Sequence, residues 1–294
     1  MAKARAIVKR RKAVRNIRKI TQTMQLIATA RFQRCLQRAV AGRPYTDRLT
    51  DMIQALSADR EIDHPLLRPN EGVSTTVLLT ITSNRGLCGA YNAALLRAAL
   101  AHIRKLRQAG LTLELDTVGR KGINYYRFLG HPVSLAITDV EDRISYARVA
   151  ELAEGYIRRY TSGQIARLEV AYTRFFSASS QRPTIVQVLP IEPAAAEEQE
   201  AQYRPALRRS EFEFSPPAPL LLERLLPEAV KVRLYQYFND AIVSEQVARM
   251  VAMRAASDAA GEMIRYLTRE YNRARQTQIT MELADIVGGA EAVK

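Results

Sequence analysis

The chain has 294 residues, 47% of them hydrophobic, enough to bury a core and to build one or two domains. Its two cysteines, Cys35 and Cys88, follow no metal-ligand spacing and argue against a disulfide framework. No run approaches the roughly 18 apolar residues that span a bilayer, and the basic N-terminus has no apolar signal core behind it, so the chain reads as soluble.

The net charge is +14, and nearly all of it lies at one end. Residues 1–46 hold 13 Lys or Arg and no Asp or Glu, whereas residues 47–228 hold 22 of each sign. The first segment therefore expects something acidic: a nucleic acid, a membrane surface or an acidic protein.

In chain order, residues 3–57 contain no proline except Pro44 and no glycine except Gly42. Ile7, Val14, Ile17, Met24, Ile27 and Leu36 recur at helical intervals and predict one long helix with a single apolar seam, heptad-like through Thr21. At 1.5 Å per residue such a helix is roughly 80 Å long, with Gly42 and Pro44 as points of bending. Residues 73–82 are β-branched and apolar and predict a buried strand. A glycine-bearing turn, SNRGLCGAYN (83–92), follows it. Residues 91–109 predict a helix with Leu95, Leu96, Leu100, Ile103 and Leu106 inward, ended by Gly110. Residues 111–119 predict a second strand, 125–129 a short helix, 141–160 another helix, and 165–176 and 184–191 two further strands. This order predicts a parallel sheet. Residues 193–219 read as a loop and connector, with a short strand at SEFEF (210–214).

Residues 228–287 contain no proline and only Gly261 as glycine. Met250, Met253, Met263, Ile264, Leu267, Tyr271, Ala274, Ile279, Leu283 and Ile286 trace a face along a helix of roughly 90 Å, with Gly288-Gly289 as a stop. Helices of this length need a partner along their length. An antiparallel pair of the two terminal helices supplies it, with Ala255, Ala256, Ala259, Ala260 and Gly261 permitting close approach. A homodimeric coiled coil is the competing solution. The expected fold is therefore α/β, a long antiparallel coiled coil of the terminal helices with an inserted Rossmann-like α/β domain. The segments are 1–57 (basic helix), 58–209 (α/β domain), 210–227 (connector and short helix), 228–287 (second long helix) and 288–294 (tail).

Candidate chemistry is sparse. The turn lacks both G-x-G-x-x-G and G-x-x-x-x-G-K-[ST], so Gly86 and Gly89 are expected to serve positive φ and close chain passage, and Asn84 an Asx turn or cap. Cys88 lies near a helix start, which favours a thiolate, but no histidine lies within ten residues to act as its base. His64, His102 and His131 are scattered. Asn124, Tyr125 and Tyr126 could line a cleft or simply pack. The acidic residues follow no metal-binding pattern. No cofactor is expected.

Three stretches carry a resemblance. VRNIRKITQTMQLIATARF (14–32), SNRGLCGAYN, and the run from Ser244 to Ala292 containing YNRARQTQITMELADIVGGA together resemble the gamma subunits of the rotary, proton-translocating ATP synthases, bacterial type. The match runs almost end to end. Asn84 stands where that family usually carries aspartate, and Arg31 where lysine is common. The resemblance implies a non-catalytic central shaft inside a ring of three alpha and three beta subunits. It implies a foot beside the epsilon subunit and the membrane c-ring, and a peripheral place on the cytoplasmic side of the inner (plasma) membrane. It implies that Arg275, Gln276 and Thr280 meet a beta-subunit catch loop. Lys9, Arg10, Lys12, Arg15, Arg18, Lys19 and Met24 would form the lower shaft facing the beta subunits. Ile279, Leu283, Ile286 and Val287 would run in an apolar upper bearing, and Gly86, Cys88 and Gly89 would form a structural turn. The alternative from a different class is a basic coiled-coil nucleic-acid-binding protein. A third is an α/β enzyme working through Cys88.

Overall fold

A computed structural model describes residues 2–57, 64–191 and 218–292. The expected strand at 210–214 and most of the connector lie outside them. The chain divides into two compact units, residues 1–30 with 249–294, and residues 31–248.

The larger unit is built on a five-stranded sheet of order β3-β2-β1-β4-β5. The strands are β1 (Thr75–Ile81), β2 (Thr112–Val118), β3 (Leu135–Ile137), β4 (Arg167–Ser177) and β5 (Ser180–Leu189). Strands β1 to β4 run parallel, and β5 closes the edge as an antiparallel hairpin with β4. The central position of β1 explains its composition. Six of its seven residues are buried, which a strand covered on both faces requires. Strand β3 escapes a sequence reading because three residues form no run.

Helices α2 (Tyr91–Gln108) and α3 (Arg120–Phe128) pack on one face over Leu78, Leu115 and Ala171. Helix α4 (Tyr146–Thr161) packs on the other. It begins five residues later than the pattern suggested, because Ser145 is its N-cap and accepts a hydrogen bond from the Arg148 N–H.

The terminal helices are α1 (Ala2–Ser57) and α5 (Ala218–Ala292). Both remain helical past residues that commonly end helices. Helix α1 continues through Gly42 and Pro44, and α5 starts before Pro227 and passes Gly288 and Gly289. Around Pro227 the reason is burial: Leu222, Leu226, Ala229 and Val230 anchor the helix on both sides of it. Their packing overrides the lost amide hydrogen bond. Neither helix is wholly separate from the sheet. Cys35, Ala39, Leu49, Ile53 and Leu56 of α1, and Leu222 to Val247 of α5, share one core with Val77, Leu79 and α4. Asp142 ties these elements together. Its carboxylate pairs with Arg31 and accepts from Gln246, and its carbonyl accepts from Arg38.

In the smaller unit, the helical residues 2–30 and 249–292 run antiparallel to each other. Contacts run in opposite senses along the two: Arg18 faces Gly261, and the Arg11 guanidinium lies 5.1 Å from the Tyr271 ring centre. The α5 seam follows strict 3-4 spacing, and the α1 seam does so except at Arg18, which is exposed. On α1 it runs through Ala4, Ile7, Arg11, Val14, Thr21, Gln25 and Ala28. On α5 it runs through Met253, Ser257, Ala260, Ile264, Leu267, Tyr271, Ala274 and Gln278.

This register corrects the expected seam. Positions 7, 14, 21 and 28 belong to two possible heptad frames, one completed by 10, 17 and 24 and the other by 11, 18 and 25. The helix pair uses the second, so Ile17 is exposed; Ile27, which fits neither frame, is exposed too, as are Met263 and Ile279 on α5. Ala255 and Ala259 also face outward. The polar frame is tolerated because its long cations are accommodated. Arg11 stacks on Tyr271, and Gly261 leaves room for Arg18, whose Cζ lies 3.6 Å from where a Cβ would be.

Candidate functional site

The turn after β1 is filled by its own side chains. Ser83 is buried, and its N–H donates to Asn92 Oδ1 at 3.0 Å, while Asn92 Nδ2 donates to Ser83 Oγ (2.7 Å) and Cys88 Sγ (3.2 Å). Cys88 is buried and held between Asn92, Ser83 and the Arg85 carbonyl. Positive φ falls on Leu87 (65°) and Gly89 (57°), not on Gly86 as expected. A Cβ at Gly86 would meet only the flexible Lys121 side chain, at ordinary contact distance.

The same turn consumes the donors at the start of α3. Asn84 Oδ1 accepts from the Arg120 N–H, the Ser83 carbonyl from Lys121, Thr82 Oγ1 from Gly122, and the Gly119 carbonyl from Ile123. A helix start binds anions through such N–H groups, and here all four are occupied by the protein itself. Asn84 also donates to the carbonyls of Thr138 (2.9 Å) and Val140 (2.6 Å). It is a long-range staple as well as a cap, not the local Asx turn the sequence suggested. Gly119 is the position that demands glycine. Its φ is +90°, and a Cβ would lie 2.3 Å from the Thr82 carbonyl oxygen.

The remaining candidates for chemistry do not converge. His102 Nε2 contacts Glu169 at 2.5 Å, His131 Nδ1 contacts Arg107, and His64 Nδ1 accepts from the Leu66 N–H. Cys35 lies beside Arg38, and burial pushes its thiol above the usual range. Among the described residues there is no group of three or more metal-ligating side chains. Asp116 is buried in β2. It accepts from the Tyr156 hydroxyl at 2.7 Å, and burial raises its carboxyl above the ordinary 3.8. It belongs to the sheet core beneath α4.

The surface of the helix pair is different. Lys9, Arg10, Lys12, Arg15, Arg18 and Lys19 are all exposed, and Met24 is half-buried. Exposed with them are Ile17 (52%), Ile20 (58%) and Leu26 (69%). On α5, Arg275, Gln276 and Thr280 are exposed, and the Thr280 hydroxyl donates back to the Gln276 carbonyl. Ile279, Leu283, Ile286 and Val287 are exposed as well, together with Met281, beyond the last seam residue, Gln278. The structure thus gathers the basic residues expected to line a lower shaft on one helix, and the two other expected sets on α5 between Arg275 and Val287. The sequence analysis missed Ile17, Ile20, Leu26 and Met281 as surface residues. Of these exposed apolar residues, only Ile17 is explained by the heptad frame; Ile20 and Leu26 belong to neither frame, and Met281 continues the α5 frame beyond Gln278 yet is exposed.

An antiparallel helix pair with so much exposed apolar and cationic surface, attached in sequence to an α/β unit, defines an assembly subunit that works by being surrounded. Known proteins agree. A family model described as ATP synthase matches residues 3–293. The ATP synthase gamma chain of Rhodopirellula baltica is 45% identical over 295 residues, covering all of both chains. That of Saccharopolyspora erythraea is 38% identical, covering all of this chain and 98% of its own. The fold is shared with chains of the Euglena gracilis mitochondrial ATP synthase. One is from its rotor (TM-score 0.65, 18% identity, 95% of this chain and 99% of that one). Another is from its OSCP/F1/c-ring assembly (0.68, 18%, 99% and 95%). The chain belongs to the ATP synthase gamma-chain family. The nucleic-acid alternative finds no support among these relatives. No helix among the described residues is long and apolar enough to cross a membrane.

Proposed function

We infer that the chain is the central rotor subunit of a bacterial ATP synthase, carrying torque between a membrane c-ring and a ring of three alpha and three beta subunits. It does no chemistry of its own. The observation that carries this reading is the helix pair, whose polar-framed seam leaves Ile17, Ile20 and Leu26 outside beside a row of cations. Exposed apolar residues grouped beside cations in this way mark a surface that other protein chains cover. The paired segments 1–30 and 249–294 form the shaft, and the sheet unit forms the foot beside epsilon and the c-ring, on the cytoplasmic face of the plasma membrane.

The mechanism needs differential contact. A shaft that met all three beta subunits alike would shift none of them. Here one helix carries the charge: α1 presents Lys9, Arg10, Lys12, Arg15 and Lys19, while α5 balances its signs. Each orientation therefore offers a different beta subunit the cationic side. Arg275 and Gln276 supply a guanidinium and an amide that suit a carboxylate-bearing catch loop. The apolar turns at Ile279, Leu283, Ile286 and Val287 suit a bearing, because an apolar surface makes no fixed ion pair that rotation must break.

Mixing the full chain with alpha and beta subunits of its own organism tests this reading. The expected native mass is one copy per three alpha-beta pairs, with ATPase turnover dependent on the chain. A competent ring that never takes up the chain refutes it.

A further inference from the structure

The sheet unit conceals a one-sided charge. Residues 47–228 balance in sequence, yet α2 carries four basic residues and α3 three, and neither helix holds an Asp or Glu. Helix α4, on the opposite face, mixes Arg148 and Arg158 with Glu151 and Glu154 in i,i+3 and i,i+4 pairs. The cationic layer also has a shape. Between α2 and α3 runs an open groove of about 430 Å³ with Leu96 and Leu100 along it, flanked by Arg97, Arg104, Lys121 and Tyr125. Arg97 and Arg104 lie two turns apart on α2, roughly 10 Å along the helix, and the groove extends some 18 Å from Asn92 to Arg104. Arg97, Arg104 and Lys121 are exposed and form no ion pair among the described residues.

We propose that this groove docks an acidic amphipathic helix of a partner polypeptide. The groove accommodates about three helical turns. An apolar stripe on the partner would cover the half-buried Leu100, above the buried Leu96, and the aliphatic stems of the flanking cations. Carboxylates seven residues apart would reach Arg97 and Arg104, and a third would face Lys121 across the groove. Concavity decides against a lipid surface, which would touch the rims and leave the apolar floor uncovered. The inference rests on the reading that the chain works inside a multisubunit complex, but it places a contact on the sheet unit that the shaft does not require.

The test uses the complex assembled in its own membranes, with p-benzoylphenylalanine placed at Ala93, an exposed residue on the groove. After irradiation, mass spectrometry identifies the cross-linked peptide. The expected product is a polypeptide segment with acidic residues at helical spacing around an apolar stripe. Arg97→Glu with Arg104→Glu should lower its yield about tenfold, and Arg97→Gln with Arg104→Gln should do so to a lesser degree. Both pairs are exposed, so the unfolding temperature should hold within a few degrees. Cross-links to lipid only, no cross-link in a complex that contains the chain, or a yield indifferent to the reversal would overturn the docking site alone. Absence of the chain from the complex would instead sink the functional reading, and the docking site with it.

Discussion

Replacing Asn92 by alanine separates a structural corner from an active site. Asn92 makes three hydrogen bonds inside the turn: it accepts from the Ser83 N–H and donates to Ser83 Oγ and Cys88 Sγ. Ser83 is 1% exposed, so its N–H cannot turn to water, and orphaning it costs about 1–3 kcal/mol. Its hydroxyl keeps a partner in the Arg85 carbonyl, and the thiol is a weak acceptor, so the other two losses add about 1 kcal/mol together. The expected destabilisation is about 2–4 kcal/mol, a shift of roughly 1 M in the urea midpoint for a slope of 2–3 kcal/mol/M. Urea unfolding followed by far-UV circular dichroism reads the first quantity. ATPase turnover of the ring assembled with the variant reads the second, and should stay within about twofold of wild type. Turnover reduced by powers of ten with an unchanged urea midpoint would refute the reasoning and give the turn a chemical role.

Further predictions test other links. Gly119→Ala forces a Cβ onto the Thr82 carbonyl at a Gly-only backbone conformation, and should cost about 3–5 kcal/mol by thermal melt; a shift under 1 kcal/mol would contradict the packing of β1 against α3. Asp116 has its folded-state carboxyl raised above 3.8, so the native state binds the extra proton and the benefit is lost as pH rises through the window above 3.8. Wild type should therefore lose stability relative to Asp116→Asn as pH rises from about 4, by at most about 1.4 kcal/mol per pH unit, and parallel melting curves would contradict this. Arg275→Ala with Gln276→Ala should leave assembly intact and reduce ATP synthesis about tenfold, the loss of one charge-assisted contact; normal synthesis rates would remove the catch-loop assignment.

Much of the fold was legible because its signals are unambiguous. A run of β-branched and apolar residues marks β1, and the scarcity of glycine and proline marks both terminal helices. The errors have physical causes. The heptad frame of α1 was ambiguous because 7, 14, 21 and 28 fit both frames, and only Tyr271 and Gly261, distant in sequence, make room for Arg11 and Arg18. Pro227 read as a boundary because local propensity cannot foresee burial of Leu226 and Ala229 beside it. The turn showed no phosphate motif in the sequence, but the hydrogen bonds that fill it were not legible there. The donors at the start of α3 are consumed by Thr82, Ser83 and Asn84, nearly forty residues earlier. The cationic face of α2 and α3 was hidden by the balanced composition of the segment around it. Acids and bases cancel in a count, while the fold sends them to different sides.

Rotation of the chain is the central claim, and single-molecule observation measures it most directly. Cys35 and Cys88 are both buried, so Phe128→Cys, at a position 84% exposed on α3, supplies a selective attachment point for a bead. With the alpha and beta subunits fixed to glass and ATP supplied, the bead should turn in one direction, in three steps per revolution. ATP hydrolysed at the full rate by a ring that holds the chain, with the bead stationary or moving at random, would contradict the account.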